Sequence, residues 1–558
     1  MINFKTPREV WETFDDNEDL DVKIVREYTE NNVHYSHFYY TSRRAGSGAV
    51  RAFAIYARNL ESEYAPVILV VPHKHQPADR QWLDYWTARG YSAMIIDYSG
   101  HEGVFNTVYP EELSYAVAES KRPETGVVED VSKTSWYEWT YIARRAVSYI
   151  RTQTHSVIGL FGLGSGADIV WLMSAVEDRC SAAVALFGAG GIEYEGYLKF
   201  DESNSVPPFD AGTQLYSMTL APQSYAPFTR CPVLYMSGSN NSMTSIERAC
   251  DTLKRVPETV SERCSFSPNL NNLISPNASN TPKAWFDSYL KGMGVIPAEP
   301  ELKIIRVEGD LKAEIKADSS IIIESVELYV SENEINPKYR IWKKIDCLRA
   351  DADNYYASVP FSRIDSQLLM FVNVNYVTGC SYSSPLVQEK LSRYEGLIPT
   401  EPAVTRSMFT YKDNVDSVFH VFGRTLFSPK TFLNTGLISR RAGPQGIEGA
   451  CLKEGIFSTA KISAKEVLKN EDSLLQFDIY SAERQTVAVT VDVFTGGVTV
   501  KYKTEINIAG GEVWQRIIIS KSEFKAEGNI ILKEWKNVRE IYFETGGKPF
   551  IINNFIWI

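Results

Sequence analysis

The stretch Ile158-Gly159-Leu160-Phe161-Gly162-Leu163-Gly164-Ser165-Gly166-Ala167-Asp168-Ile169 carries the most chemical information in the chain. An apolar run leads through a turn into a helix-like segment, with glycines four apart at Gly162 and Gly166. That spacing suits a sharp strand-to-helix turn whose middle residue is displayed, in a strained backbone conformation, to attack a carbonyl. The middle residue is Gly164, which has no hydroxyl and relieves a strain of about 1–3 kcal/mol for other residue types. Ser165 opens the helix, where its backbone N–H suits an oxyanion donor and its side chain suits a cap. A plain glycine-rich turn, or a phosphate-binding loop, also accounts for the stretch taken alone.

A serine nucleophile needs a neighbouring base. The seven histidines are His34, His37, His73, His75, His101, His155 and His420, and none falls between His155 and His420. His73 and His75, in Pro72-His73-Lys74-His75, are spaced to ligate a metal if Asp97 or His101 converges on them. A metal-bound hydroxide would then replace the missing nucleophile. Pocket-lining or capping histidines are the simpler expectation, with no metal and no other cofactor. Asp97 and Glu102 form a candidate carboxylate pair, although an aspartate at a strand end more often anchors a loop. Cys180 and Cys250 lie in helix-like stretches and read as packing residues.

These groups must be positioned by an α/β architecture. Residues 50–295 alternate short apolar runs with amphipathic stretches, which predicts a mostly parallel sheet with flanking helices. The clearest strands are 66–72, 92–97, 157–161, 182–186 and 232–236, and 136–152 predicts an amphipathic helix. An antiparallel lead-in, with a strand at 33–40, precedes them. Beyond Gly292 only strand patterns follow. They predict an immunoglobulin- or fibronectin-III-like sandwich over 297–393 and a second all-β unit over 394–558, after the Pro399-Thr400-Glu401-Pro402 linker. The first unit is therefore 1–296.

Over roughly residues 20–295 the chain resembles the acetyl xylan esterase and dienelactone-hydrolase-like branch of the α/β hydrolases. The resemblance rests on Trp86-Thr87-Ala88-Arg89-Gly90-Tyr91 before a strand ending Asp97-Tyr98-Ser99-Gly100, and on the elbow itself. It rests also on Cys231-Pro232-Val233-Leu234-Tyr235 and on Trp285-Phe286-Asp287-Ser288-Tyr289-Leu290-Lys291-Gly292. It implies the order nucleophile, acid, histidine along the chain. The acid then belongs in Gly238-Ser239-Asn240-Asn241-Ser242, where Asn241 stands, and the histidine in Pro268-Asn269-Leu270-Asn271-Asn272-Leu273, where Asn272 stands. All three positions are thus replaced. His73, Lys74 and Ser165 fall in the oxyanion region that the resemblance implies, and Ser165 is the fallback nucleophile.

The C-terminal unit resembles galactose-binding-like jelly rolls of carbohydrate-binding modules, through Gly443 to Gly449, Trp514-Gln515-Arg516-Ile517 and Asn553-Asn554-Phe555-Ile556-Trp557. Trp514, Trp535 and Trp557 are its candidates for stacking on a sugar, against a core role for each.

A formal net charge of −11 argues against a general nucleic-acid partner. The N-terminus has no apolar signal region, no run is long enough to span a bilayer, and seven scattered cysteines lack any CxxC pair. A cytoplasmic protein without membrane partners is the expectation, and the oligomeric state is left open. The leading functional expectation is an esterase relative that has lost serine-hydrolase catalysis and binds a small-molecule or carbohydrate ligand. The alternatives are an active esterase or deacetylase using Ser165 or a metal, and a scaffold presenting the sandwiches.

Overall fold

A computed structural model describes residues 6–46, 48–62, 64–100, 104–117, 127, 130–191, 210–241, 243–334, 336–413, 415, 418–422, 428–429, 438–452, 455–464, 466–495 and 498–558. Nine strands build the first part of the chain: β1 (Lys23–Glu30), β2 (Val33–Ala45), β3 (Gly48–Asn59), β4 (Val67–Val71), β5 (Ser92–Ile96), β6 (Ile158–Leu163), β7 (Cys180–Leu186), β8 (Val233–Gly238) and β9 (Glu262–Ser267). They lie side by side in the order β1-β2-β3-β5-β4-β6-β7-β8-β9. From β2 to β9 the sheet is parallel except at β3, and its third and fourth positions are exchanged. This is the α/β-hydrolase sheet.

The central strands are continuous apolar runs, buried throughout in β4, β5, β6 and β8, because helices cover both faces. The helices are α1 (Gln81–Thr87), α2 (Ser135–Gln153), α3 (Ser165–Val176), α4 (Ala211–Thr219), α5 (Pro222–Tyr225), α6 (Ile246–Leu253) and α7 (Thr281–Lys291). Trp82, Leu83 and Trp86 of α1 share one core with Trp285, Phe286 and Leu290 of α7. Ile142, Ala146 and Ile150 of α2 share the other with Ile169 to Met173 of α3. Thr134 caps α2 by accepting the Tyr137 N–H, and Gly292, left-handed at φ 64°, closes α7.

The next segment does not stand apart. β12 (Ile323–Glu332), β13 (Lys343–Asp346), β16 (Gln367–Tyr376), β17 (Cys380–Ser383) and β18 (Val387–Lys390) extend the hydrolase sheet to fourteen strands, through Ser383 paired with Cys264 of β9. Facing them, β10 (Glu301–Val307), β11 (Asp310–Lys316), β14 (Leu348–Arg349) and β15 (Asn354–Ser358) form a separate four-stranded sheet. Leu311, Ala313 and Ile315 of β11 pack into the same cluster as Leu328 of β12, Phe286 of α7 and Ile68 of β4. Over 297–393 the strands thus fall into two sheets, one of them continuous with the hydrolase sheet and both packed on the hydrolase core.

From Ser407 onward, a six-stranded and a five-stranded antiparallel sheet enclose a distinct core that includes Phe457, Phe477, Val489, Phe543 and Phe555. Among the described residues, no helix is long and apolar enough to cross a membrane.

Candidate functional site

The elbow forms at the end of β6. Gly164 has φ 55° and ψ −118°, a backbone conformation that costs any residue with a Cβ. The crossing is close: a Cβ on Gly166 would lie 2.1 Å from the Val71 carbonyl oxygen at the end of β4. The Gly164 N–H is held by the Leu186 carbonyl at 2.8 Å. No side chain projects from the display position, and Ser165 is turned away from it, 5 % exposed, at the start of α3.

Ser165 meets the loop after β4. Its Oγ accepts the Lys74 N–H at 2.8 Å and lies 2.8 Å from Tyr98 Oη and 3.1 Å from His73 Nδ1. Its own N–H donates to His73 Nδ1 at 3.2 Å. Tyr98 Oη donates to the Pro72 carbonyl at 2.8 Å, which leaves the serine hydrogen to Tyr98 Oη or His73 Nδ1. Burial pushes the His73 imidazole down to about 3, helped by the nearby Lys74 and His75 charges, so the ring is neutral and its Nδ1 an acceptor.

The arrangement has a chemical consequence. In this fold an oxyanion is held by the N–H of the residue after the nucleophile and by an N–H from the loop after the first central parallel strand. Ser165 follows Gly164 and Lys74 lies in the loop after β4, so their N–H groups are the candidates for those two donors. The first is spent on His73 Nδ1 and the second on Ser165 Oγ.

Asn241, at the end of β8, is fully buried with a saturated amide. Its Nδ2 donates to the Phe187 carbonyl at 3.0 Å and to Ser237 Oγ at 3.1 Å, and its Oδ1 accepts the Met243 and Thr244 N–H groups. Both donors are needed here, and a carboxylate would set an anion against the Phe187 carbonyl. Asn272 is half-buried in the loop between β9 and α7. That loop is stitched to the Asn241 loop, for Leu270 O accepts the Asn240 N–H at 2.8 Å and the Asn269 N–H reaches Ser239 Oγ at 2.8 Å.

The structure thus brings His73, Lys74 and Ser165 together and puts Asn241 in a separate network. Two residues that sequence reasoning passed over matter. Tyr98 plugs the space beside Ser165, and its only signal was a position just after a strand. Asn269, 2 % exposed at φ 56°, clasps the backbone of Trp342, donating to its carbonyl at 2.9 Å and accepting its N–H at 2.8 Å.

Several of the remaining candidates are held in structural contacts. Asp97 spends its carboxylate on Ser99, Gly100 and Thr107, as a loop anchor does. The His73 and His75 rings are 5.6 Å apart, edge to face. Among the described residues, no group of three His, Cys, Asp or Glu is placed to hold a metal; His101 and Glu102 lie outside them. Cys180 and Cys250 are buried, and burial pushes the Cys250 thiol up to about 12. Trp535 and Trp557 are core residues at 0 % and 1 % exposed, so stacking on a sugar is closed to them. Trp514 is half-buried against Gly443 and Tyr480, its Nε1 donating to the Pro444 carbonyl.

No family model and no curated protein matches the chain. Among solved structures it is similar to an acetyl xylan esterase from Paenibacillus sp., at 13 % identity over 52 % of this chain and 96 % of that one, TM-score 0.40. It is also similar to acetyl xylan esterase 1 from Thermoanaerobacterium sp., at 12 % identity over 48 % and 89 %, TM-score 0.37. A glucuronoyl esterase from Solibacter usitatus follows at 12 % identity over 47 % and 86 %, TM-score 0.33. The chain's own sheet order and elbow define an α/β-hydrolase fold over about its first half.

Proposed function

We propose that this chain is an esterase-fold protein that has lost serine-hydrolase catalysis and acts by binding, with a small molecule, a carbohydrate or a partner surface as its target. The observation that carries the reading is the spent oxyanion pair, Ser165 N–H on His73 and Lys74 N–H on Ser165 Oγ. Preorganised donors aimed at the developing oxyanion are worth roughly 3–4 kcal/mol each in active enzymes. Donors already bound to protein must first break those bonds. Gly164 at the display position and a saturated Asn241 amide at the acid position point the same way. The unit over 394–558 is taken as galactose-binding-like and the protein as cytoplasmic within the same proposal.

The 3.1 Å approach of Ser165 Oγ to His73 Nδ1 favours a second reading, a displaced serine that passes its proton to His73. Labelling with a fluorophosphonate probe, followed by peptide mapping and by turnover of p-nitrophenyl acetate, separates the two. No labelled serine and no turnover above the buffer rate is the expected result. Labelling of Ser165 that disappears with turnover in Ser165→Ala would establish the displaced nucleophile instead.

A further inference from the structure

A cavity of about 250 Å³ lies away from the elbow, between α7 and the strands that follow it. Its lining includes Ala284 of α7, Cys380 and Tyr382 of β17, and Ile321. Met293 and Val295, 60 % and 58 % exposed, make the lip, so two apolar side chains stand in solvent at its mouth. Exposed apolar groups gathered round a concavity mark a place that something covers.

The lining limits what that is. The carboxylate of Asp287 borders the cavity but is already held by Tyr91 Oη at 2.6 Å, by Lys291 at 3.0 Å and by Lys283. Burial alone would raise its pKa, but the hydrogen bonds from Lys283, Tyr91 and Lys291 outweigh that and hold it below the usual carboxylate range, so it stays ionised and already paired and offers no free anion to a cationic ligand. The rest is aliphatic, sulfur or aromatic, apart from Gly294 and the polar Thr378. An apolar cavity of about 150 Å³ accepts a benzene ring, so this one suits roughly ten non-hydrogen atoms.

The geometry points to a binding site for a neutral, largely apolar molecule of about that size, with an aromatic or branched aliphatic body and one hydrogen-bonding group for Thr378. The site is independent of the elbow and joins the last hydrolase helix to the segment after it. An occupant therefore braces α7 against β17. Its existence does not depend on whether Ser165 is catalytically competent.

Isothermal titration of the full chain with indole, a neutral bicyclic of fitting size, tests the assignment, with 4-propylphenol as a second probe. Saturable one-to-one binding of at least one probe is expected. It weakens at least about tenfold in Ala284→Phe, which fills the cavity from the half-buried helix wall. Val295→Trp, at the exposed lip where folding is not at risk, produces the same direction of change. Failure of both probes to saturate the wild-type chain, or equal affinity in wild type and both folded variants, overturns the proposal.

Discussion

Ser165 presents both its Oγ, at 3.1 Å, and its backbone N–H, at 3.2 Å, to one atom, Nδ1 of His73. The N–H can only donate, so Nδ1 is the unprotonated nitrogen and the ring hydrogen sits on Nε2. Protonating His73 would put a hydrogen where Ser165 N–H already donates, beside Lys74.

That relationship predicts an acid-sensitive step. The folded-state value of His73, about 3, lies below the ordinary histidine value, so the unfolded chain binds more protons between pH 3 and pH 6.5. Its contribution to stability is complete above pH 6.5 and is lost as pH falls toward 3. Urea unfolding of His73→Gln at a series of pH values in this window should show a flatter acid limb than wild type, by up to a few kcal/mol at its lower end. Parallel limbs for the two proteins would mean that His73 takes up protons without cost.

Restoring a serine at the display position should be costly and futile. Gly164→Ser places a Cβ at φ 55°, ψ −118°, which costs roughly 1–3 kcal/mol and lowers the melting temperature by several degrees. The variant should still not react with a fluorophosphonate, because the candidate oxyanion donors, the Ser165 and Lys74 N–H groups, remain bonded to His73 Nδ1 and Ser165 Oγ. A variant as stable as wild type would remove Gly164 from the elbow position, and rapid labelling would show that the donors rearrange freely.

Asn241→Asp should be harder on the protein than its near-identical shape suggests. It replaces two donated hydrogen bonds, to Phe187 O and Ser237 Oγ, with a buried acceptor facing a carbonyl. A loss of roughly 2–4 kcal/mol is expected from the unpaired carbonyl and the buried charge. The loss should shrink on acidification, since the protonated carboxyl can donate again. Denaturant midpoints at pH 5 and pH 8 would test this; a change below about 0.5 kcal/mol at pH 8 would mean the loop accepts an acid and the triad position is only nominally lost.

The sequence made β4 to β8 and α2 readable because each is a long apolar or 3.6-periodic run, and buried parallel strands carry no polar alternation to confuse the pattern. It made the elbow readable because only glycine survives where Val71 O lies 2.1 Å from a would-be Cβ. β9, Glu-Arg-Cys-Ser-Phe-Ser, was not readable, because it has no apolar run and is held by tertiary partners: the Phe266 N–H donates to Ser383 Oγ at 2.7 Å, and Ser267 Oγ accepts the Ser275 N–H at 2.8 Å. The sharing of one sheet by two segments hangs on a single paired position, Ser383 with Cys264, which has no local signature. The contacts of Ser165 were equally hidden. Its neighbours His73 and Tyr98 lie 92 and 67 positions away, and only the sheet order brings them together.

The fused sheet makes its strongest prediction at Arg340, which is 2 % exposed yet charged. Its Nη1 donates to Glu247 Oε2 at 3.0 Å, its Nη2 to Glu247 Oε1, and its Nε to the Glu334 carbonyl at 3.1 Å. The Arg340 carbonyl in turn accepts from Asn240 Nδ2 at 2.7 Å, so the segment before β13 grips both α6 and the loop after β8. A pair this well buried gains little over an apolar pair of equal volume, but losing one partner strands a charge. Glu247→Leu alone should therefore cost roughly 3–5 kcal/mol, and Arg340→Met somewhat less, because Glu247 keeps 25 % of its side chain in water. The double variant Arg340→Met/Glu247→Leu should recover most of that loss. Denaturant unfolding of the three variants gives the coupling directly, and single losses that merely add in the double variant would mean that the pair does not hold the two segments together.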